Sequence, residues 1–317
     1  EAGTALTTGD SNVALGYEAL KANTTTSQNT AVGAGAAGAL TTAGGTTAIG
    51  RLAMGTGVVT GDHNTAVGYL AGNSLTSGVS NTFVGTVAGD ATTTGNYNTA
   101  VGRGSLTSNT TAASNTAVGY RAGYANTTGY NIAAFGNSAL YSNTTGALNT
   151  SVGDSSLFAN TTGGSNTALG RTALYSNTTA SNNTAVGYQA GYSNTTGTEN
   201  TALGRVAMRT NTTGNYNVSV GSVALYYNTT GSNNVALGTQ ALNNNTTASL
   251  NTAVGYQAGL ANTTAAQGTF VGETAGYSNT TGLGNTFVGS DSGLLNTTGT
   301  RNQFFGKNSG ESITTGS

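Results

Sequence analysis

The chain has 317 residues, of which 50 are Gly and none is Pro, Cys or Trp. Only 6% of the residues are charged, and nine basic against ten acidic side chains give a formal net charge of −1. Without Cys there is no thiolate chemistry, and the single His63 leaves little for acid–base or zinc catalysis, so we predict no enzyme, metal or cofactor. The charge balance argues against nucleic acid as a partner, and no apolar run is long enough for membrane insertion.

A repeat of 17 residues runs along the chain. Each repeat holds a word similar to Asn-Thr-Ala-Val-Gly, and its Gly is called the anchor below. Eighteen anchors run from Gly16 to Gly306, and every spacing is 17 residues except the 18 between Gly50 and Gly68. So strict a period indicates structure rather than disorder, because a lost register would turn every later side chain to the wrong face.

The period predicts an all-β fold, a parallel β-solenoid of about 18 coils that covers residues 1–317 as one repetitive domain. Paired-helix repeats need about 30 residues or more, which excludes them. One coil should rise by about one strand spacing of 4.7–4.9 Å, which predicts a rod on the order of 85 Å long. We expect irregular coils around residues 34–64. The chain starts and ends in mid-coil, so we expect an internal piece of a longer repetitive polypeptide.

Fixed positions of the repeat predict which side chains point inward. The residue directly before the anchor is apolar in all eighteen repeats, as at Val118 and Val186, and is predicted to point into the core. The residue three places after the anchor is always Ala or Ser, as at Ala122, and is also predicted to be inward. Asn stands four places before the anchor in fifteen repeats. This column predicts an amide ladder along the axis, with a simple turn-forming Asn as the alternative.

A second word, Asn-Thr-Thr, lies between the strand words. We interpret its Asn as a turn residue and its β-branched Thr as the start of the next extended stretch. Each word is also formally an N-glycosylation sequon, so glycans along one edge are the alternative. The candidate sequons are Asn109, Asn126, Asn143, Asn160, Asn177, Asn194, Asn211, Asn228, Asn245, Asn262, Asn279 and Asn296.

The word Val-Gly-x-x-Ala, as at Val118, Gly119 and Ala122, resembles the head-domain repeats of trimeric autotransporter adhesins. The whole chain is similar to the NTAxGxxAL…NTTG arrays that precede an intramolecular-chaperone domain in tail-fibre and surface-fibre proteins. The resemblance implies a left-handed parallel β-roll, a trimer, and a place outside the cell, at a cell surface or on a virion. The hexapeptide repeat of left-handed β-helix acyltransferases is also similar. The only His, His63, has no counterpart in other repeats, which argues against acyltransferase activity.

An aromatic column stands five places after the anchor. It is interpreted first as a packing seam between chains, and second as a ligand surface for a cell-surface glycan. The function expected on these grounds is a structural shaft or stalk of an extracellular fibre, a phage tail fibre, surface fibre or adhesin. Copies of the chain are its expected partners, with adhesion to carbohydrate as a variant. The candidate surface consists of Tyr124, Tyr141, Phe158, Tyr175 and Tyr192.

Ice binding is the alternative function. Thr columns eight and nine places after the anchor, such as Thr127 and Thr128, motivate it. Adjacent residues of a strand point to opposite faces, so only one Thr of each pair can face water. A flat surface with two ranks of Thr is therefore not evident from these columns.

Overall fold

A computed structural model describes residues 1–316 and shows an all-β protein with one short strand in each repeat. The chain divides into two compact units, Glu1–Thr162 and Gly163–Ser317, which are described separately. Within residues 1–316 there is no helix with the length and apolarity that a membrane span needs. The prediction that both units belong to one array stays a prediction, as does the left-handed coil.

Each unit contains nine strands of three residues. In the first unit they are Val13–Leu15 (β1), Thr30–Val32 (β2), Thr47–Ile49 (β3), Thr65–Val67 (β4), Thr82–Val84 (β5), Thr99–Val101 (β6), Thr116–Val118 (β7), Ala133–Phe135 (β8) and Thr150–Val152 (β9). In the second unit they are Thr167–Leu169 (β10), Thr184–Val186 (β11), Thr201–Leu203 (β12), Val218–Val220 (β13), Val235–Leu237 (β14), Thr252–Val254 (β15), Thr269–Val271 (β16), Thr286–Val288 (β17) and Gln303–Phe305 (β18).

Within each unit every strand pairs in parallel with the next strand of the chain. Thr99 lies opposite Thr116 in the first unit, and Thr184 lies opposite Thr201 in the second. The predicted parallel β-solenoid with its 17-residue period is thereby confirmed. The one departure follows the 18-residue spacing, since β3 and β4 pair Thr47 with Thr65.

The strands show that one predicted face is wrong. The middle residue of the strand, two places before the anchor, is the inward one, and Ala117 and Ala185 are fully buried. The residue directly before the anchor points outward: Phe135 is 39% and Leu169 is 47% exposed. The Val118 column therefore does not fill the core. The inward strand position is occupied mostly by Ala, whereas β-branched side chains pack against their neighbours along the outer face of the sheet.

The rest of the core comes from the corner that follows the anchor. The predicted inward position three places after the anchor is confirmed, since Ala122 and Ser156 are fully buried. The next residue was not predicted: Leu140 and Met208 are examples of large buried side chains at this position. Their backbones are left-handed, with φ of 56° at Leu140 and 51° at Met208. In the coils that carry Leu or Met at this position, the corner places a large apolar side chain inside the coil.

Four strands carry Phe in place of the inward Ala, and glycines make room for the ring. Gly72 and Gly89 lie on either side of the fully buried Phe83, at the position that Leu140 and Met208 occupy in other coils. A Cβ on Gly89 would lie 2.5 Å from the Phe83 ring, and one on Gly72 would lie 2.7 Å from it. The ring therefore takes the space that a side chain such as Leu140 fills in other coils.

Because Phe83 and a corner Leu compete for the same space, a second substitution should restore part of the stability that the loss of Phe83 removes. Phe83→Ala leaves a cavity and should lower the free energy of unfolding by about 3–5 kcal/mol. Gly89→Leu alone should clash with the ring. The double variant recreates the pair that Ala134 and Leu140 form in another coil, so its urea midpoint should lie above that of Phe83→Ala. A double variant as unstable as the sum of the two single changes would contradict this competition for space.

Candidate functional site

The Asn of the Asn-Thr-Thr word is buried and belongs to a ladder of side-chain amides, the turn-asparagine ladder. In the first unit, Asn143 Nδ2 donates to Asn126 Oδ1 at 2.8 Å and to the Gly146 carbonyl at 2.9 Å. In the second unit, Asn211 Nδ2 donates to Asn194 Oδ1 at 2.8 Å. Each amide thus links two coils and also closes its own turn.

The burial of these amides bears on the alternative interpretation of the Asn-Thr-Thr words as glycosylation sites. All the candidate sequons are buried, so the folded coil does not present their Nδ2 atoms to a transferase. The group is Asn109, Asn126, Asn143, Asn160, Asn177, Asn194, Asn211, Asn228, Asn245, Asn262, Asn279 and Asn296. The structure adds to the turn interpretation that each amide is a buried connection between coils.

Expression in a glycosylating secretory host tests this point. Asn182, Asn183 and Thr184 form a further sequon, and Asn182 is exposed. We expect mass spectrometry of the folded protein to find glycan at Asn182 and none at Asn143 or Asn211. Glycan on the ladder residues at an occupancy equal to that of Asn182 would contradict their burial.

The predicted ladder four places before the anchor, the strand-asparagine ladder, is confirmed. Asn81 Nδ2 donates to Asn64 Oδ1 at 3.0 Å and to the Gly95 carbonyl at 2.8 Å. In the second unit the Asn234 backbone N–H donates to Asn217 Oδ1 at 3.0 Å. Even where Ile132 interrupts the column, its N–H donates to Asn115 Oδ1 at 3.0 Å. Every buried polar group bonded in this way stiffens the stack of coils.

The structure brings the predicted aromatic residues together as stacked rings. In the first unit Tyr124, Tyr141 and Phe158 stack with centroids 5.1 Å apart and planes 6° apart. In the second unit the Tyr175 and Tyr192 centroids are 5.2 Å apart. The rings are half-buried and cover one another's faces, so they leave mainly their edges for another chain or a ligand.

Arginines lie against the ends of these stacks, which sequence reasoning missed. In the first unit the Arg121 guanidinium is 5.3 Å from the Tyr124 ring centroid. In the second unit the Arg209 guanidinium is 5.2 Å from the Tyr192 ring and 5.8 Å from the Tyr226 ring. Such distances allow cation–π attraction. The available signal was that Arg209 stands in the aromatic column itself, five places after its anchor, and that Arg121 stands two places after its anchor.

Two open clefts adjoin these arginines. The first unit has a cleft of about 310 Å³ lined by Asp90, Arg103, Arg121 and Tyr124. Burial raises the pKa of the Asp90 carboxyl there, and its Oδ1 has no hydrogen-bond partner among residues 1–316. The second unit has a larger cleft of about 530 Å³, with Arg205 and Arg209 among its lining residues. The larger cleft thus combines cations with an aromatic lining.

The outward face of the strands is a further regular surface, called the strand outer face below. It carries the first and third residue of each strand, such as Thr99 with Val101 and Thr184 with Val186. These side chains are half-exposed, and none of the strands that the structure describes contains a charged residue. By contrast, the Thr127 hydroxyl donates to the Thr144 carbonyl at 3.0 Å and leaves only Thr128 of that pair exposed.

Within the described residues, no group of three or more His, Cys, Asp or Glu side chains could hold a metal ion. The chain was compared with known proteins as well. No protein-family model matches it, and no curated protein matches it.

Proposed function

We propose that the chain is a structural shaft or stalk of an extracellular fibre, at a cell surface or on a virion. The observation that carries the proposal is the continuous bonding between coils within each unit. Successive coils are joined by the strand pairs and by the two amide ladders. They are also joined by Thr hydroxyls, since the Thr229 hydroxyl donates to the Thr246 carbonyl at 3.0 Å. Such repeated bonding favours a long and stiff particle, and a shaft of this kind requires no catalytic residues.

Exposed apolar side chains support association with copies of the same chain. Phe135 and Leu169 stand on the strand outer face, and Tyr216 and Leu250 are exposed at another corner of the coil. Side chains of this size without cover are typical of interaction surfaces. Because each coil repeats the same positions, contact between parallel copies would extend along the array. A trimer is proposed because the fibres that the chain resembles are trimeric.

Sedimentation velocity combined with light scattering tests the shaft. The expected particle is elongated, with a mass that is a multiple of 31.1 kDa and three copies as the favoured number. Leu169→Ser and Phe135→Ser should weaken the association while the circular dichroism spectrum stays unchanged. A compact monomer at tens of micromolar would contradict the proposal.

Ice binding is the second candidate function, and the strand outer face favours it. Thr and Val methyl groups stand there in two ranks, about 6–7 Å apart along a strand and about 4.7–4.9 Å apart between strands. A regular, uncharged array of this kind suits ordered water better than the Thr127 and Thr128 columns do.

Thermal hysteresis tests this second candidate. Thr99→Lys and Thr184→Lys, on the strand outer face, should abolish any hysteresis, and Thr128→Lys should leave it unchanged. No hysteresis in the unsubstituted chain would refute ice binding, and an equal loss in all three variants would refute the strand outer face as the ice-binding surface.

A further inference from the structure

We infer that the larger cleft of the second unit binds a carboxylate-bearing sugar unit of a polysaccharide. This cleft, called the arginine cleft below, is lined by Tyr188, Arg205, Arg209, Tyr226, Tyr227 and Gln240 among others. The inference deepens the adhesive variant of the proposed function, and its biological use rests on that variant. The candidate residues from the sequence were the stacked rings, whereas this site uses the surface next to them.

The charge around the arginine cleft has one sign. Across residues 187–272 the only charged side chains are Glu199, Arg205 and Arg209. Glu199 does not line the cleft, and no carboxylate of the described residues forms a salt bridge with either arginine. The cleft is therefore cationic in a chain whose formal net charge is −1, which favours an anionic ligand.

Arg209 is held in place by uncharged groups. Its Nε donates to Gln189 Oε1 at 3.0 Å, and its Nη1 donates to the Tyr226 hydroxyl at 3.3 Å. A guanidinium has five N–H donors, so three remain after these two bonds. Arg209 is half-buried, and an orientation already set by rings and hydrogen bonds lowers the entropy lost when a carboxylate binds.

The remaining lining suits a sugar better than a small inorganic anion. A volume of about 530 Å³ falls in the range of small-molecule sites, about 300–1,000 Å³, and exceeds what a phosphate needs. Tyr188 is 42% and Tyr227 is 50% exposed, so each offers aromatic surface for the C–H groups of a pyranose. Tyr227 is fixed by an edge contact with Tyr226, with centroids 4.6 Å apart.

A polar donor completes the site. Gln240 Oε1 accepts a hydrogen bond from Gln257 Nε2 at 2.7 Å. Because the Gln240 oxygen accepts this bond, the remaining amide atom, Nε2, is a donor. No described residue accepts a hydrogen bond from the Gln240 Nε2. The Gln240 Nε2 can therefore bond a sugar hydroxyl while Arg205 and Arg209 bond the carboxylate.

Binding by the chain of 317 residues in its assembled state tests the inference. The probes are sialyllactose against lactose, and tetragalacturonate against its methyl ester, by saturation-transfer NMR and calorimetry. We expect at least one carboxylated probe to bind at least tenfold more tightly than its neutral counterpart. The two pairs distinguish a sialic acid from a uronic acid.

Matched variants locate the site. Arg205→Gln and Arg209→Gln should each weaken binding at least tenfold, and Arg301→Gln, an exposed arginine outside the cleft, should leave it unchanged. Arg205 is exposed, so its variant should keep the thermal melting curve even where that of Arg209 shifts. Equal binding of charged and neutral probes, no binding of any probe, or no effect of Arg205→Gln would overturn the inference. Sedimentation of the same samples tests the shaft separately. A multi-chain particle that binds no probe would contradict the ligand site in the cleft and leave the shaft proposal standing.

Discussion

Ala117→Asp is expected to lower the free energy of unfolding by on the order of 4 kcal/mol, whereas Val118→Asp should cost roughly 1 kcal/mol. Ala117 is fully buried, and its strand neighbours Ala100 and Ala134 are buried too. A carboxylate there would have no cation to pair with and no water. Val118 is half-exposed on the strand outer face, where a carboxylate keeps its hydration.

Urea unfolding followed by circular dichroism checks this difference. Ala117→Ser is the matched control, because Ser151 occupies the same column in a natural coil and donates to the Ser156 carbonyl at 2.9 Å. The control should stay close to the unsubstituted protein. Equal losses from Ala117→Asp and Val118→Asp would mean that the two faces of the strand are assigned the wrong way round.

Gly221→Ala should be the second severe change, with a loss of more than about 3 kcal/mol. The anchor Gly221 has a φ of 134°, a conformation that side chains rarely adopt. A Cβ there would also meet the backbone of the next anchor, Gly238, at 2.6 Å. The strain of the dihedral angle and the clash between coils therefore act together.

Gly306→Ala separates the two contributions. Gly306 has a φ of 109°, but a Cβ on it would meet nothing within 4 Å. This variant should show only the conformational strain, about 1–3 kcal/mol, in the same urea experiment. If both variants lose the same stability, the close approach of neighbouring coils does not explain why every anchor is Gly.

The spacing of residues was enough to predict the repeat architecture. Residues that recur at one phase of a 17-residue period must meet the same surroundings in every coil, so the parallel register and the strand-asparagine ladder followed from counting. The inward Ala122 column followed in the same way. The extra residue between Gly50 and Gly68 likewise located the departure from the regular register.

Sequence reasoning could not decide which face of a three-residue strand points inward. In Thr-Ala-Val both Ala117 and Val118 are apolar, and hydrophobicity alone favoured Val118. The space inside the coil decided otherwise, because buried side chains such as Leu106 and Ile132 already fill it beside Ala117. The same limit on space is seen at Phe83, whose ring fits because Gly72 and Gly89 beside it have no side chain.

The arginine cleft also required the tertiary structure. Gln189, Arg209 and Tyr226 lie in three successive repeats, and nothing in any single repeat marks them as neighbours. The burial of Asn143 has the same origin, since its amide is paired only because another coil presents Asn126 beside it. Sequence by itself therefore determined the period and the class of fold, which depend on spacing along the chain. Burial, side-chain partners and clefts were decided by the stacking of coils, because they depend on distances between residues of different repeats.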